Sequence, residues 1–413
     1  MRSKTSCSLA LLSSLTLFAG VAPAAPAAAA ASPAEHCANA PEVGFGQALV
    51  CYHDAIEQQP LTYTRVGTSS VAGVERRDYL LTSQDWSPEG LVTPARWQHD
   101  VAIYVPKEAL PTRAVLISTN GTRHPVDGGT AQPASELAPE ALAALAQRTR
   151  TVVIALSDIP NQALTYQGDA TPRREDDSVA YSWSLFLKAS QQRKTLPLHV
   201  PMAAAIARTM SLAERELAPL RIHRFVLAGA SKRGWASWHA TIADRRVEAV
   251  APLVIDILNM PAVLEHMFRT YGGNWPIAFN AYAKQGITSQ LQTPAFAQLA
   301  ATARSAELFA HAVPHAADGA QVHRQCQRRR LLHAGQHPVL LQRAARRKGA
   351  ARPAQQCAQH PRLRRRYPGA VYHAPAAAAP ATAGKRCVAY GRSAADSLPL
   401  LRAAHAAAAV ECT

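Results

Sequence analysis

The stretch RFVLAGASKRGWASWHATI, residues 224–242, constrains the fold of this chain more than any other feature. Residues 224–228 form an apolar run of strand length, and residues 235–242 carry helical spacing. Between them lies Gly229-Ala230-Ser231-Lys232-Arg233-Gly234. A strand that turns sharply through glycines into a helix exposes whatever side chain sits at the apex. When that residue is serine, the arrangement is the nucleophile elbow of an α/β-hydrolase. The usual spacing is G-x-S-x-G, whereas here Arg233 stands where the second glycine is expected and Gly234 follows it. The alternative is a glycine-lined packing turn that merely exposes a serine.

The surrounding pattern fits an α/β domain. Residues 101–105 and 114–118 read as strands, the second ending in the turn Thr119-Asn120-Gly121-Thr122. Residues 151–156, TVVIAL, are continuously apolar, as a buried parallel strand requires. Residues 200–217 read as an amphipathic helix, and residues 247–255 as a further strand ending at Asp256. The expected architecture is α/β-hydrolase-like: a mostly parallel sheet with helices on both faces, its C-terminal part incomplete or disordered. In that setting the backbone N–H of Lys232, at the start of a helix, would supply one oxyanion donor. The turn at Asn120 and Gly121 would supply a second.

Three blocks carry a family resemblance: IPNQALTY at 159–166, REDDSVAYSW at 174–183 and GASKRGWASWHATIADRRVEAVAPLVIDILNMP at 229–261. Together they resemble the PhoPQ-activated pathogenicity-related protein family, exported proteins of α/β-hydrolase fold, over roughly residues 40–300. The resemblance implies Ser231 as candidate nucleophile and Asp256 as an acid close to the site. It implies no substrate.

Residues 1–30 have Arg2 and Lys4, then an apolar run, then small residues, which is the pattern of a secretory signal peptide. The expectation is a secreted or periplasmic protein without a transmembrane segment. Cys37 and Cys51 would then be able to pair; the other reading is two small buried thiols. Residues 31–300 are expected to hold the hydrolase-like domain.

From residue 301 the texture changes to Arg, Ala, Pro, His and Gln. This tail holds 18 lysines and arginines against four acids, so it supplies +14 of the net charge of +16. Such a tail could bind nucleic acid, but its composition is better explained as that of a GC-rich gene translated out of frame. Combining the last two bases of each codon with the first of the next permits GDDFF within 321–341 and NNAHS within 343–359. An acid of the first string and the histidine of the second would complete a triad that requires serine, acid and histidine in that order. In the present frame the tail offers Asp318 and Asp396 in no recognisable strand-loop setting. A rescue by Asp256 and His266 is disfavoured by their closeness in sequence.

Other features point to less. Glu175, Asp176 and Asp177 form an acidic cluster that suits a solvated loop, or a surface for cationic peptides. Trp183, Trp235, Trp238 and Trp275 suit core packing at least as well as a pocket. His239 and His266 lack metal-ligand spacing, and no zinc or phosphate-loop motif occurs. No cofactor or metal is expected. The partner would be a small-molecule or peptide substrate, and not nucleic acid.

Overall fold

The computed structural model describes residues 31–39, 45–123, 130–169, 171–255 and 260–304. Two helices open the described chain, α1 (Pro33–Asn39) and α2 (Phe45–Glu57). A disulfide between Cys37 and Cys51 joins them, with Cα atoms 5.8 Å apart. Strands β1 (Thr62–Val71), β2 (Val74–Asp85), β3 (Val92–Thr93) and β4 (Arg96–Val105) follow. Then come β5 (Arg113–Ser118), α3 (Pro139–Thr149), β6 (Val152–Leu156), β7 (Thr165–Tyr166), α4 (Glu175–Lys188) and α5 (His199–Glu216). The order ends with β8 (Arg224–Ala230), α6 (Lys232–Ala243), β9 (Val247–Leu253), α7 (Met260–Thr270), α8 (Asn280–Lys284) and α9 (Pro294–Arg304).

Seven strands form one sheet in the order β1-β2-β4-β6-β5-β8-β9, and β3 pairs with β7 in a separate ribbon. The pairs β5/β6, β5/β8 and β8/β9 are parallel, while β1/β2, β2/β4 and β4/β6 are antiparallel. Strands β2, β5, β6, β8 and β9 therefore run one way, and only β1 and β4 oppose them. The sheet is mostly parallel, of α/β-hydrolase type. From β5 the chain crosses to β6 on one side and later to β8 on the other. That reversal places a topological switch point at the carboxyl ends of β5 and β8, where open α/β sheets bind ligands.

Side-chain alternation divides the inner strands between two apolar layers. Val115, Val153 and Ala155 pack with Leu142, Ala143 and Ala146 of α3 on one face. Ala114, Leu116, Val152, Ile154, Phe225 and Leu227 pack with residues of α4, α5 and α6 on the other. All of β6 is buried, which explains its unbroken apolar run. Among the described residues, no helix is long and apolar enough to cross a membrane.

At the far end of α6 from Ser231, ion pairs bind the helices to the sheet. The Asp244 carboxylate accepts from Arg246 Nη2 at 2.6 Å and contacts His53 Nε2 at 3.0 Å. Arg246 also reaches Glu57 at 3.0 Å and Glu214 at 2.9 Å. Burial alone would raise the Asp244 pKa, but the hydrogen bonds and charge of His53 and Arg246 outweigh it and hold the carboxyl far below its usual range. Burial lowers the His53 pKa, and Asp244 more than compensates, leaving it raised.

The signs set opposite limits. Stability from Asp244 is present above the unfolded pKa of about 3.9 and lost as pH falls through the folded value. Stability from His53 is present below about pH 6.5 and lost as pH rises through its raised folded value. Asp244→Asn is expected to cost about 2 kcal/mol in urea unfolding at pH 6, because it takes the nearest of three carboxylates from Arg246 and the buried carboxylate partner from His53. It should also flatten the acid limb below about pH 4. A cost within about 0.5 kcal/mol, with the acid limb intact, would remove this network from the account of stability.

Candidate functional site

Ser231 terminates β8 and caps α6 with φ +54° and ψ −124°. A non-glycine residue at positive φ is strained, and only over-determined surroundings hold it there. Two contacts do so. The Ser231 N–H donates to the Leu253 carbonyl of β9 at 2.8 Å, and its carbonyl accepts the Trp235 N–H at 3.0 Å. The Ser231 hydroxyl makes no capping hydrogen bond, and the residue is partly exposed.

The glycine spacing follows from the same turn. A Cβ on Gly229 would lie 2.8 Å from the Arg233 carbonyl carbon, and one on Gly234 would lie 2.6 Å from the Gly229 carbonyl oxygen. The strand end and the helix start touch through positions 229 and 234, so the second glycine is needed at 234. Position 233 points elsewhere and accommodates arginine.

The Arg233 and Lys232 side chains are both buried, at 4% and 6% exposure. Arg233 Nη1 meets Glu136 Oε1 at 2.9 Å, and its Nη2 meets Glu175 Oε1 at 2.7 Å. Lys232 Nζ meets Glu175 Oε2 at 2.6 Å and Asp176 Oδ2 at 3.4 Å. Burial raises the Glu175 pKa, but the charges of Arg233 and Lys232 outweigh it and leave the carboxyl below its usual range. For Glu136 burial dominates, and its carboxyl is raised despite Arg233. The acidic cluster is thus no solvated loop: it is the first turn of α4, where the helix dipole favours carboxylates, and Asp177 pairs with Arg173 at 2.9 Å.

The turn after β5 differs from expectation at one residue. The Asn120 N–H donates to Glu136 Oε2 at 3.2 Å, and its side-chain oxygen accepts from the Ser135 and Glu136 N–H groups. Asn120 therefore organises its own loop and has no main-chain donor to offer an oxyanion. Gly121, at φ +130°, has its carbonyl held by Gln162 Nε2 at 2.6 Å. The Asn120 carbonyl accepts the Asp158 N–H, and the Thr122 N–H donates to the Gln132 carbonyl. Of the three main-chain N–H groups at 120–122, only that of Gly121 lacks a partner among the described residues. The Lys232 N–H sits in the first turn of α6, where no intrahelical acceptor exists. Ser118 of β5 registers with Gly229 of β8, so the two turns leave adjacent strands at one level.

Asp256 lies outside the described residues, as does the tail that would carry the acid and histidine of a triad. His239 is buried on α6, where Trp235 Nε1 donates to its Nε2 at 3.1 Å, and burial pushes it down to about 3. His266 lies on α7, its Nε2 3.5 Å from Thr270 Oγ1. Trp183, Trp235 and Trp238 are core residues, and Trp275 stacks on Phe279 and meets Phe268 at a tilt. The described residues contain no group of three or more metal-ligating side chains.

Sequence reasoning missed Glu136 and Gln162. Gln162 lies within the IPNQALTY block, but nothing in its spacing indicates that its amide bridges Gly121 to Glu175, which it reaches at 2.9 Å. Asp158 was also unmarked; burial pushes its carboxyl up to about 8. Gly234→Ala is expected to destabilise the protein by about 2–3 kcal/mol in denaturant unfolding, since the new methyl group collides with backbone. An unchanged midpoint would show that strand and helix do not touch there.

A family model described as PhoPQ-activated pathogenicity-related protein matches residues 49–311. Autocrine proliferation repressor protein A of Dictyostelium discoideum is 35% identical over 227 residues, 54% of this chain and 43% of that protein. The chain thus spans less than half the length of that relative. Among solved structures, an acetyl xylan esterase from Paenibacillus sp. R4 is similar at TM-score 0.36 and 11% identity, covering 72% of this chain and 90% of that one. A glucuronoyl esterase from Solibacter usitatus is similar at TM-score 0.31 and 14% identity, covering 57% and 66% respectively. With a family model matching well over half of its length, and with the strand-turn-helix unit at Ser231 in place, the chain belongs to the PhoPQ-activated pathogenicity-related protein family.

Proposed function

We propose that this chain is an exported protein of serine-hydrolase type, with Ser231 as the nucleophile of an ester- or amide-cleaving site that its present reading frame leaves incomplete. The observation that carries the reading is the strained Ser231, pinned between Gly229 and Gly234 at the carboxyl end of β8 beside the switch point. Packing alone gives no reason to hold a serine at positive φ with its hydroxyl free of any capping bond among the described residues.

In the proposed reaction the Ser231 oxygen attacks the carbonyl carbon. The N–H groups of Lys232 and Gly121 receive the charge that develops on the carbonyl oxygen. A histidine must take the serine proton, and an acid must hold that histidine in the right tautomer. Of the described histidines, His239 has its Nε2 occupied by Trp235 and is held neutral by burial, so it is a poor base. The frame-restored strings GDDFF and NNAHS supply both missing residue types in the required order. The disulfide of the N-terminal helices suits export to an oxidising compartment, as does the leader-like residue pattern of 1–30.

The rival reading, a non-catalytic envelope protein that binds cationic peptides through Glu175–Asp177, loses its main support. Those carboxylates are already paired with Lys232, Arg233 and Arg173. Fluorophosphonate labelling tests the proposal. The present chain is expected to remain unlabelled, and a frame-restored protein is expected to be labelled at Ser231 and to lose labelling on Ser231→Ala. Labelling of the present chain at Ser231 would overturn its incompleteness. A folded, frame-restored protein that never labels would overturn the assignment of Ser231.

A further inference from the structure

Hydrogen bonds and ion pairs close a ring around the ends of β5 and β8. From the Asn120 N–H the ring passes to Glu136, from Glu136 to Arg233, and from Arg233 to Glu175. Glu175 Oε1 then accepts from Gln162 Nε2, which also donates to the Gly121 carbonyl. The Gln162 side-chain oxygen accepts the Glu175 N–H at 3.0 Å. Glu175 is itself at positive φ, +50°, so the backbone at both ends of the bridge from Glu175 to the Ser231 turn is strained. The ring therefore connects the two separate backbone segments that supply the proposed oxyanion donors.

Resting on the assignment of Ser231 above, we infer that Glu175 and Gln162 are positioning residues: their bridge fixes the Gly121 peptide and the start of α6 relative to each other, so that the main-chain N–H groups of Gly121 and Lys232 converge beside Ser231. The Gly121 N–H is coplanar with the Asn120 carbonyl, which the Asp158 N–H holds, and Gln162 holds the next peptide plane through the Gly121 carbonyl, so that both planes flanking Gly121 are fixed and its N–H cannot swing by rotation about the glycine. Glu175 acts on α6 through two adjacent side chains, which resists rotation of the helix start about its axis.

Positioning and simple charge neutralisation predict opposite signs in one measurement. In the full chain, Ser231→Cys installs a thiol whose pKa reports on the donors around it. Rates of iodoacetamide alkylation at residue 231, resolved by peptide mass spectrometry across pH, give that pKa without any catalytic base. The ring predicts a value below the ordinary thiol pKa of about 8.5. Adding Glu175→Gln should raise it by on the order of one pH unit, although the change removes a negative charge beside Lys232 and Arg233. Gln162→Met, which alters no charge and keeps the side-chain volume, should raise it similarly while far-UV circular dichroism stays unchanged.

A depressed pKa that falls further in Glu175→Gln and does not move in Gln162→Met would overturn the ring while leaving Ser231 in place. An ordinary thiol pKa in the Ser231→Cys protein itself would overturn the underlying assignment. If Glu175→Gln fails to fold, Gln162→Met decides alone: a raised pKa supports the ring and an unmoved one refutes it.

Discussion

The contact between Gly229 and Gly234 is the constraint on which the rest of the site depends. The carbonyl of one glycine packs where a side chain on the other would stand, and this brings the end of β8 against the first turn of α6. With so tight a reversal, the apical residue has no relaxed backbone conformation available, and Ser231 takes φ +54°. Its hydroxyl thereby stands at the carboxyl end of the parallel strands and makes no capping hydrogen bond to the helix. The bond from the Ser231 N–H to Leu253 fastens the turn to β9, so three consecutive elements share the cost of the strain.

That geometry creates an electrostatic problem at once. Lys232 and Arg233 occupy the first turn of α6, where the helix dipole disfavours cations, and both are buried. Carboxylates from the loop before α3 and from the first turn of α4 compensate them. Glu175 serves both cations and stands at a helix N-terminus where its own charge is favoured. The compensation has a structural by-product: it draws the loop after β6 and the turn after β5 toward Ser231. Five segments distant in sequence are thus held together by groups that the Ser231 turn itself makes necessary.

The parts of the fold that were legible in sequence are those governed by local periodicity. Strands β5, β6, β8 and β9 and helices α5 and α6 lie within a few residues of their expected places, because their apolar runs and spacing are local: β6 is buried throughout, and β8 buries every second residue. Strand β1 and most of β2 gave no such pattern. β1 is polar and largely exposed along its length, so nothing in TYTRVGTSSV separates it from a loop. At the site, the glycines and serine were legible because steric demands on a turn act on the residues of the turn. The Arg233 departure in spacing was explained only by seeing which position touches Gly229. The roles of Glu136, Gln162 and Asn120 were not legible, since they depend on partners about 13 to 97 residues away. The blocks at 159–166, 174–183 and 229–261, which together carry the family resemblance, each contribute a member of one ring: Gln162, Glu175 and Arg233.

On the proposed reading, Ser231 is the nucleophile of a hydrolase site whose acid and histidine lie in another frame of the same gene. The match to the family model runs from residue 49 to 311 and covers the whole strand-turn-helix unit. Beyond residue 301 the charge balance and residue texture change abruptly. Sequencing the gene between the codons for Thr293 and Arg304 decides whether the tail is read in its proper frame. A one-base insertion or deletion there, with an open frame encoding the acid and histidine beyond it, is the predicted result. An unambiguous single frame identical to the present chain would contradict it.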